Sequence, residues 1–248
     1  MGVTCYKPST NEELADILQK TQAELVITLA YGRLIKTSEL QIPKHGWLNV
    51  HFSLLPRWRG AAPVQRAIAA GDEQSGITVF KLEQGLDTGP IYSTLSYPLN
   101  DRSRSDEVLK DLSSLCIQPV NQALIMIAAG EPATTQESDG VTLAPKIIKS
   151  EGRIDWNQDS KILNRQIRAF QPWPGAYTSL NGSRIEIIEA RVSEADGVAG
   201  EIISLNPLRV GTSSGSLEII RVKPENRREM SSSDWLRGAR ITLPCAFE

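Results

Sequence analysis

The sequence predicts an α/β protein with a mostly parallel sheet, followed by a small β-barrel. Three observations carry that prediction. The near-continuous apolar run Glu24-Leu25-Val26-Ile27-Thr28-Leu29-Ala30 reads as a strand buried on both faces, as in a parallel sheet. Strand-like and helix-like segments alternate around and after it. The last third instead holds several short β-rich runs at close spacing, two of them joined by Asn181-Gly182, a strong hairpin signal.

In chain order, Thr10 to Glu13 fits a capping box, Thr-x-x-Glu, and Leu14, Ile17 and Leu18 continue at helical spacing. The 24–30 strand follows and ends at Tyr31-Gly32. A loop with Pro43 leads to a short strand over 47–52. A helix is expected over 62–70, with Pro63 in its first turn and Gly71 at its end. Strands are expected over 77–82 and 91–97, on either side of a loop carrying Asp87. Residues 106–129 are helical in pattern. Asp106 and Glu107 suit the positive N-terminal dipole, and Pro119 is expected to break or kink the helix. The stretch from Gly130 to Gly140 is polar and aperiodic, as linkers are. Beyond it the pattern gives a short helix over 160–170, a hairpin of 176–180 with 184–191, and strands over 200–205, 208–211 and 217–222. The expected division is a first domain over 1–130, a linker over 131–149 and a second domain over 150–248.

Composition narrows the function. The 248 residues carry a net charge of −2, and splitting the chain at Ser150 leaves neither part basic. Nucleic-acid binding would therefore need a local basic patch. The three cysteines (Cys5, Cys116, Cys245) lie far apart, without metal or redox spacing, and fit free thiols in a reducing compartment. The two histidines, His45 and His51, form no metal cluster with them, so no metal is expected. No secretory or transit segment and no apolar run long enough to span a bilayer is read, leaving the cytoplasm as the expected location.

The stretch from Asn49 to Gly89 carries the chemistry. Asn49 and His51 are two apart on a strand and share a face. Asp87 sits in the glycine-flanked turn Gly85-Leu86-Asp87-Thr88-Gly89, which could bring its carboxylate to the imidazole. A histidine held by a carboxylate beside an amide donor suits proton handling and oxyanion stabilisation. The alternative is a structural histidine in an apolar strand. A serine hydrolase built on Ser53 is disfavoured, because no G-x-S-x-G elbow surrounds it.

Asn49-Val50-His51, the run Ser53-Leu54-Leu55-Pro56-Arg57-Trp58-Arg59-Gly60-Ala61-Ala62-Pro63 and Gly85-Leu86-Asp87-Thr88-Gly89 together resemble the folate-dependent formyltransferases. The continuation through Val64-Gln65-Arg66 resembles the branch acting on methionyl-tRNA. The likeness extends through Arg153-Ile154-Asp155-Trp156, Phe170-Gln171-Pro172-Trp173-Pro174 and Asp234-Trp235-Leu236-Arg237-Gly238. It implies a Rossmann-like sheet and an OB-like second domain. It further implies 10-formyltetrahydrofolate as formyl donor and initiator methionyl-tRNA as acceptor. By resemblance Asn49, His51 and Asp87 are catalytic. Ser53, Leu54, Leu55 and Pro56 form the folate-contacting turn, and Gly85 and Leu86 line its pterin side. Asn49 and His51 would donate to the formyl oxygen, with Asp87 fixing the ring's orientation and protonation state and able to take the amine's proton through a water. Arg57 and Arg59, flanking Trp58, could face tRNA phosphate or a base, as could the basic cluster Lys223, Arg227 and Arg228. For both groups the alternative is a solvated surface.

The chain departs from the family pattern at its front. A first strand, a Gly-Thr-Pro-type turn, a helix, a second strand and a basic loop are not found before residue 11. The expectation is a mis-set start or partial gene rather than a shortened protein, with the 25–29 strand left as an unpaired apolar edge. The expected protein is a cytoplasmic monomer. Two other functions remain open: a related formyl enzyme with another acceptor, and a non-catalytic tRNA-binding remnant.

Overall fold

The computed structural model describes residues 2–248. They cluster into two units. The first holds residues 2–63, Gln74–Pro98 and Lys110–Pro145, and the second holds Val64–Glu73, Leu99–Leu109 and Lys146–Glu248.

In the first unit, helix α1 (Asn11–Thr21) begins at the expected cap: the Thr10 hydroxyl accepts from the Glu13 N–H at 3.1 Å. Strand β1 (Val26–Leu29) leads through the short helix α2 (Thr37–Leu40) to β2 (Trp47–His51), which lies parallel to it. Next come the two-residue strand β3 (Arg59–Gly60) and helix α3 (Pro63–Ala70), which belongs to the second unit from Val64 onward. Strands β4 (Gln74–Lys81) and β5 (Ile91–Pro98) complete a sheet of order β1-β2-β4-β5.

That sheet is mixed, which corrects the mostly parallel expectation. β1 and β2 are parallel, whereas β2–β4 and β4–β5 are antiparallel. The short 82–90 connection accounts for the second of these antiparallel pairs. A parallel neighbour needs a crossover of about a dozen residues or more, so β4 and β5 form a hairpin instead. A second correction concerns β1. It is an edge strand, and Ile27 and Leu29 are 43% and 45% exposed, so it is not buried on both faces. The core lies on β2 and β4, where Trp47, Leu48, Val50, Ile77, Val79 and Phe80 are buried.

Helices α4 (Ser105–Leu115) and α5 (Ile117–Ala129) divide at Cys116. Pro119 explains the break, since it has no N–H to give the Leu115 carbonyl. By length and composition alone Ser105–Ala129 would cross a bilayer: it has 25 residues, with a window of mean hydropathy 1.4. That stretch is longer and more apolar than the sequence reading allowed, but it is a weak signal, because a core helix passes the same test. α5 nevertheless packs against β5 and β4, with Pro119 and Ala123 buried. Finally β6 (Leu143–Ala144) pairs in parallel with β3. A segment that reads as linker is therefore hydrogen-bonded into the first unit.

The second unit is built on an antiparallel sheet. Helix α6 (Ser160–Ala169) is capped by Asp159 and packs on β8 and β11. The hairpin β7 (Ala176–Leu180) and β8 (Ser183–Ser193) turns at Asn181 and Gly182, with φ of 51° and 74°, as the Asn-Gly pair requires. Strands β9 (Ile202–Leu205), β10 (Leu208–Gly211), β11 (Ser216–Pro224) and β12 (Met230–Ser231) follow, then helix α7 (Ser232–Ala239). The order β7-β8-β11-β10-β9, with β12 on β11, is an open path, so these strands do not by themselves close the expected barrel. The C-terminal tail lies in the gap. Ile202 donates to the Cys245 carbonyl and Phe247 to that of Gly200, while Glu248 donates to that of Ser179. Phe247 stacks between Trp156 and Trp235, with centroids 5.7 and 6.2 Å away.

Candidate active site

β2 alternates, so Asn49 and His51 project from one face of it. Its two neighbours set what each side chain meets. Thr28 of β1 stands opposite Asn49, and Thr78 of β4 stands opposite His51. The His51 side chain is 5% exposed. Its Nε2 lies 2.8 Å from the Trp58 carbonyl, which can only accept, so Nε2 carries the proton. Nδ1 faces the Asp87 carboxylate, 3.6 Å from Oδ2. The same Oδ2 accepts from the Gly60 N–H at 2.7 Å. Burial pushes the His51 pKa below its ordinary 6.5, against the opposing pull of Asp87 and the Trp58 carbonyl. The ring is thus held neutral, with its open lone pair aimed at a carboxylate. A proton arriving at Nδ1 would convert that juxtaposition into a charge-assisted contact.

This placement revises one expected role. Neither ring nitrogen is turned outward to donate to a formyl oxygen, because Nε2 is bound and Nδ1 is an acceptor. Asn49 is better placed for donation. The Thr28 hydroxyl lies 3.0 Å from both Asn49 Oδ1 and the Leu48 carbonyl, so the amide oxygen faces β1 and shares that one proton.

The contacts around His51 need unusual backbone. Trp58 has φ of 63° and Asp87 φ of 51°, both left-handed, and these two residues meet the imidazole's two nitrogens. Such conformations cost about 1–3 kcal/mol each and persist where neighbours over-determine them. Gly60, with φ of 126°, is the third. A Cβ there would lie 2.6 Å from the Ala144 carbonyl, so β6 could not approach. The neighbours that over-determine this backbone come from residues 142–144. The Trp58 N–H donates to Thr142 Oγ1 at 2.8 Å, and Arg59 N–H to the Thr142 carbonyl at 2.9 Å.

Comparison with known proteins places the chain in a family. Residues 5–115 match a family described as formyl transferase, and 146–240 match its C-terminal domain. The methionyl-tRNA formyltransferase of Cutibacterium acnes is 40% identical over 97% of this chain and 80% of its own length. The chain belongs to the methionyl-tRNA formyltransferase family. The enzyme of that name from Jannaschia sp. is 39% identical over 100% of this chain and 82% of its own. Among solved structures, HypX from Aquifex aeolicus with tetrahydrofolic acid has a TM-score of 0.71 over 92% of this chain and 41% of that one, at 20% identity. The methionyl-tRNA formyltransferase from Clostridium thermocellum has a TM-score of 0.59, covering 75% and 78%, at 19% identity. These two structures share the fold.

The other expected family positions divide by how far they are committed. In the 53–57 turn Ser53 is 1% exposed, and its hydroxyl donates to the Arg57 carbonyl at 2.6 Å. Thr78 Oγ1 accepts from Leu55 N–H at 3.1 Å and donates to the Ser53 carbonyl at 2.7 Å. Leu55 is buried, while Leu54 and Pro56 are half-buried. Gly85 and Leu86 form an exposed turn, with Leu86 57% exposed. Arg57 is exposed with its guanidinium 4.5 Å over the Trp58 ring, and Arg59 is half-buried. Arg66 pairs with Glu151 at 2.6 Å and so serves the second unit's own structure. Lys223 ends β11 beside Glu186 of β8, and Arg227 and Arg228 lie in the exposed turn after it.

Sequence reasoning missed Thr28, Thr78 and the Trp58 carbonyl. The register between strands would have named the two threonines, but a single sequence does not give register. It also missed Arg184, whose guanidinium sits 3.9 Å over the Tyr177 ring on the outer face of the β7–β8 hairpin. Alternation along that hairpin was the available signal.

Proposed function

We propose that this chain transfers the formyl group of 10-formyltetrahydrofolate to the amine of initiator methionyl-tRNA. The observation that carries it is the buried imidazole with Nδ1 facing Asp87, on the strand face that also presents the Asn49 amide. The donor supplies the activated one-carbon unit, and the protein supplies position and field. Asn49 donates its NH₂ to the formyl oxygen as charge develops there. The amine attacks the formyl carbon and passes its proton through a water to Nδ1 of His51. Asp87 stabilises the resulting imidazolium. The C–N10 bond then breaks, with that proton returned to N10 of the departing tetrahydrofolate. Leu54, Leu55 and Pro56, with the turn at Gly85 and Leu86, form the folate side of the site, and Ser53 closes the first of these turns.

Arg57, Arg59, Lys223, Arg227 and Arg228 are the proposed tRNA contacts, and the Tyr177–Arg184 pair extends the set by stacking. The catalytic domain is assigned to 1–130, the linker to 131–149 and the tRNA-binding domain to 150–248. The second domain is read as OB-like, supported by the tail that hydrogen-bonds to both Ser179 and the start of β9. Three free thiols support a reducing, cytoplasmic setting, and a monomer is proposed.

The test is turnover of methionyl-tRNA with 10-formyltetrahydrofolate by the purified chain, beside Asn49→Ala and His51→Ala. Loss of an oxyanion donor is expected to lower the rate ~10²–10³-fold. Equal background rates in all three proteins would point to a tRNA-binding remnant. Formylation of a sugar nucleotide but not of methionyl-tRNA would point to another acceptor.

A further inference from the structure

We propose that Gln136 is a positioning residue that locks the Asp87 loop and Arg59 to one another, making residues 134–144 part of the active site. The proposal rests on the formyl-transfer reading and deepens it. It starts from one carboxamide with all of its hydrogen-bonding positions used. Gln136 Nε2 donates to the carbonyls of Asp87 at 2.8 Å and Gly89 at 2.7 Å. Its Oε1 accepts from Arg59 Nε at 3.1 Å and Nη2 at 2.6 Å. The reverse orientation would set an oxygen against two carbonyls and an amide NH₂ against a guanidinium, so only one orientation fits.

The backbone bearing Gln136 is itself pinned on both sides. Thr134 and Ile91 exchange both backbone hydrogen bonds, at 2.7 and 2.8 Å. Thr142 and Ala144 bond the chain from Trp58 to Ala62. Gln136 therefore works from a fixed base. Asp87 reaches His51 from a left-handed position in an otherwise exposed turn, so its carboxylate is only as steady as its own carbonyl. Arg59, a proposed tRNA contact, is held by the same side chain. Placement of the catalytic carboxylate and presentation of a tRNA-facing guanidinium thus share one anchor.

Two variants separate the two arms. Gln136→Met keeps the length and removes every hydrogen bond. Gln136→Glu keeps the Arg59 pair but sets a carboxylate oxygen against the Asp87 and Gly89 carbonyls. With Gln136→Met, kcat is expected to fall by about tenfold or more, as misplacing a catalytic group does, and KM for methionyl-tRNA to rise. With Gln136→Glu, kcat falls similarly while KM stays near wild type. Gln136→Met with both constants within about twofold of wild type would overturn the proposal. So would equal KM rises in the two variants.

A readout independent of turnover is the His51 ring titration by NMR, simple in a chain with two histidines. Loosening Asp87 is expected to move that titration to lower pH, because the carboxylate's pull on the ring is what raises it. If wild type turns over no substrate, the functional reading fails, and the ring titration alone decides the positioning role. An unmoved His51 titration in both variants overturns it.

Discussion

The two halves of the site are held by different means. Asn49 and His51 stand on β2, a strand bonded along both edges, to β1 and to β4. Asp87 stands on an exposed turn and reaches the same imidazole through a left-handed backbone. The strand half inherits its geometry from the sheet ladder, which fixes many residues at once. The loop half depends on a few identifiable bonds: the Gly60 amide on its carboxylate and the Gln136 amide on its carbonyl. A histidine–aspartate pair built this way joins a rigid member to one that could be displaced alone. The difference makes the loop half the easier place to break chemistry without unfolding the protein.

The largest effect expected from that asymmetry is at Asp87. Asp87→Asn keeps the shape and the Gly60 contact but removes the charge opposite Nδ1, so the imidazolium loses its partner. Turnover should fall ~10²–10⁴-fold, the range of general acid–base catalysis, with little change in melting temperature. A fall of less than about tenfold would mean that Nδ1 does not take the proton. The matching change beside the strand half acts on stability instead. Thr78 is fully buried, and its hydroxyl satisfies both Leu55 N–H and the Ser53 carbonyl. Thr78→Val leaves both groups unpaired and should cost about 1–3 kcal/mol in denaturant unfolding. An unchanged midpoint would show that the 53–57 turn is held by something else.

What the sequence reveals follows the same division. Period two places Asn49 beside His51, and glycines on either side mark the turn that carries Asp87. Hairpin chemistry at Asn181-Gly182 and the helix cap at Thr10 are local, and local signals are legible. Strand direction is not: β4 runs antiparallel to β2, a matter of how the chain returns and not of which residues line the strand. Nor are bonds between distant segments. Gln136 lies 49 positions from the carbonyl of Asp87, inside a polar stretch with no periodicity. The exposure of Ile27 and Leu29 is equally a property of β1's place at the sheet edge. The pairing of His51 with Asp87 was legible, but the tautomer of the ring was not, because the Trp58 carbonyl that fixes it is a backbone group.

A smaller effect tests whether the strand half is as fixed as its ladder implies. The Thr28 hydroxyl lies 3.0 Å from both Asn49 Oδ1 and the Leu48 carbonyl, and its single proton serves one at a time. Thr28→Val removes that hold on the Asn49 amide while preserving the strand. Turnover should drop ~5-fold, equivalent to about 1 kcal/mol for one neutral hydrogen bond. No drop would mean that the ladder alone orients Asn49.

The smallest effect is one of pH, and it reads both halves together. Burial lowers the His51 pKa in the folded protein from its ordinary 6.5, so below that value the unfolded chain binds more protons than the folded one. His51 therefore opposes folding progressively as pH falls from 6.5 toward the lowered value, and contributes nothing above it. Carboxylates titrate in acid too, so the informative quantity is the difference between wild type and His51→Gln in urea midpoints across this range. The two curves should converge in relative terms as pH rises toward 7 and separate as it falls, with wild type losing more. Turnover should weaken over the same interval, because a protonated Nδ1 cannot accept the amine's proton. Parallel stability curves would show that Asp87 and the Trp58 carbonyl together offset the burial of the ring. The loop half would then govern the charge on the strand half, reversing the order of influence that the two sets of hydrogen bonds imply.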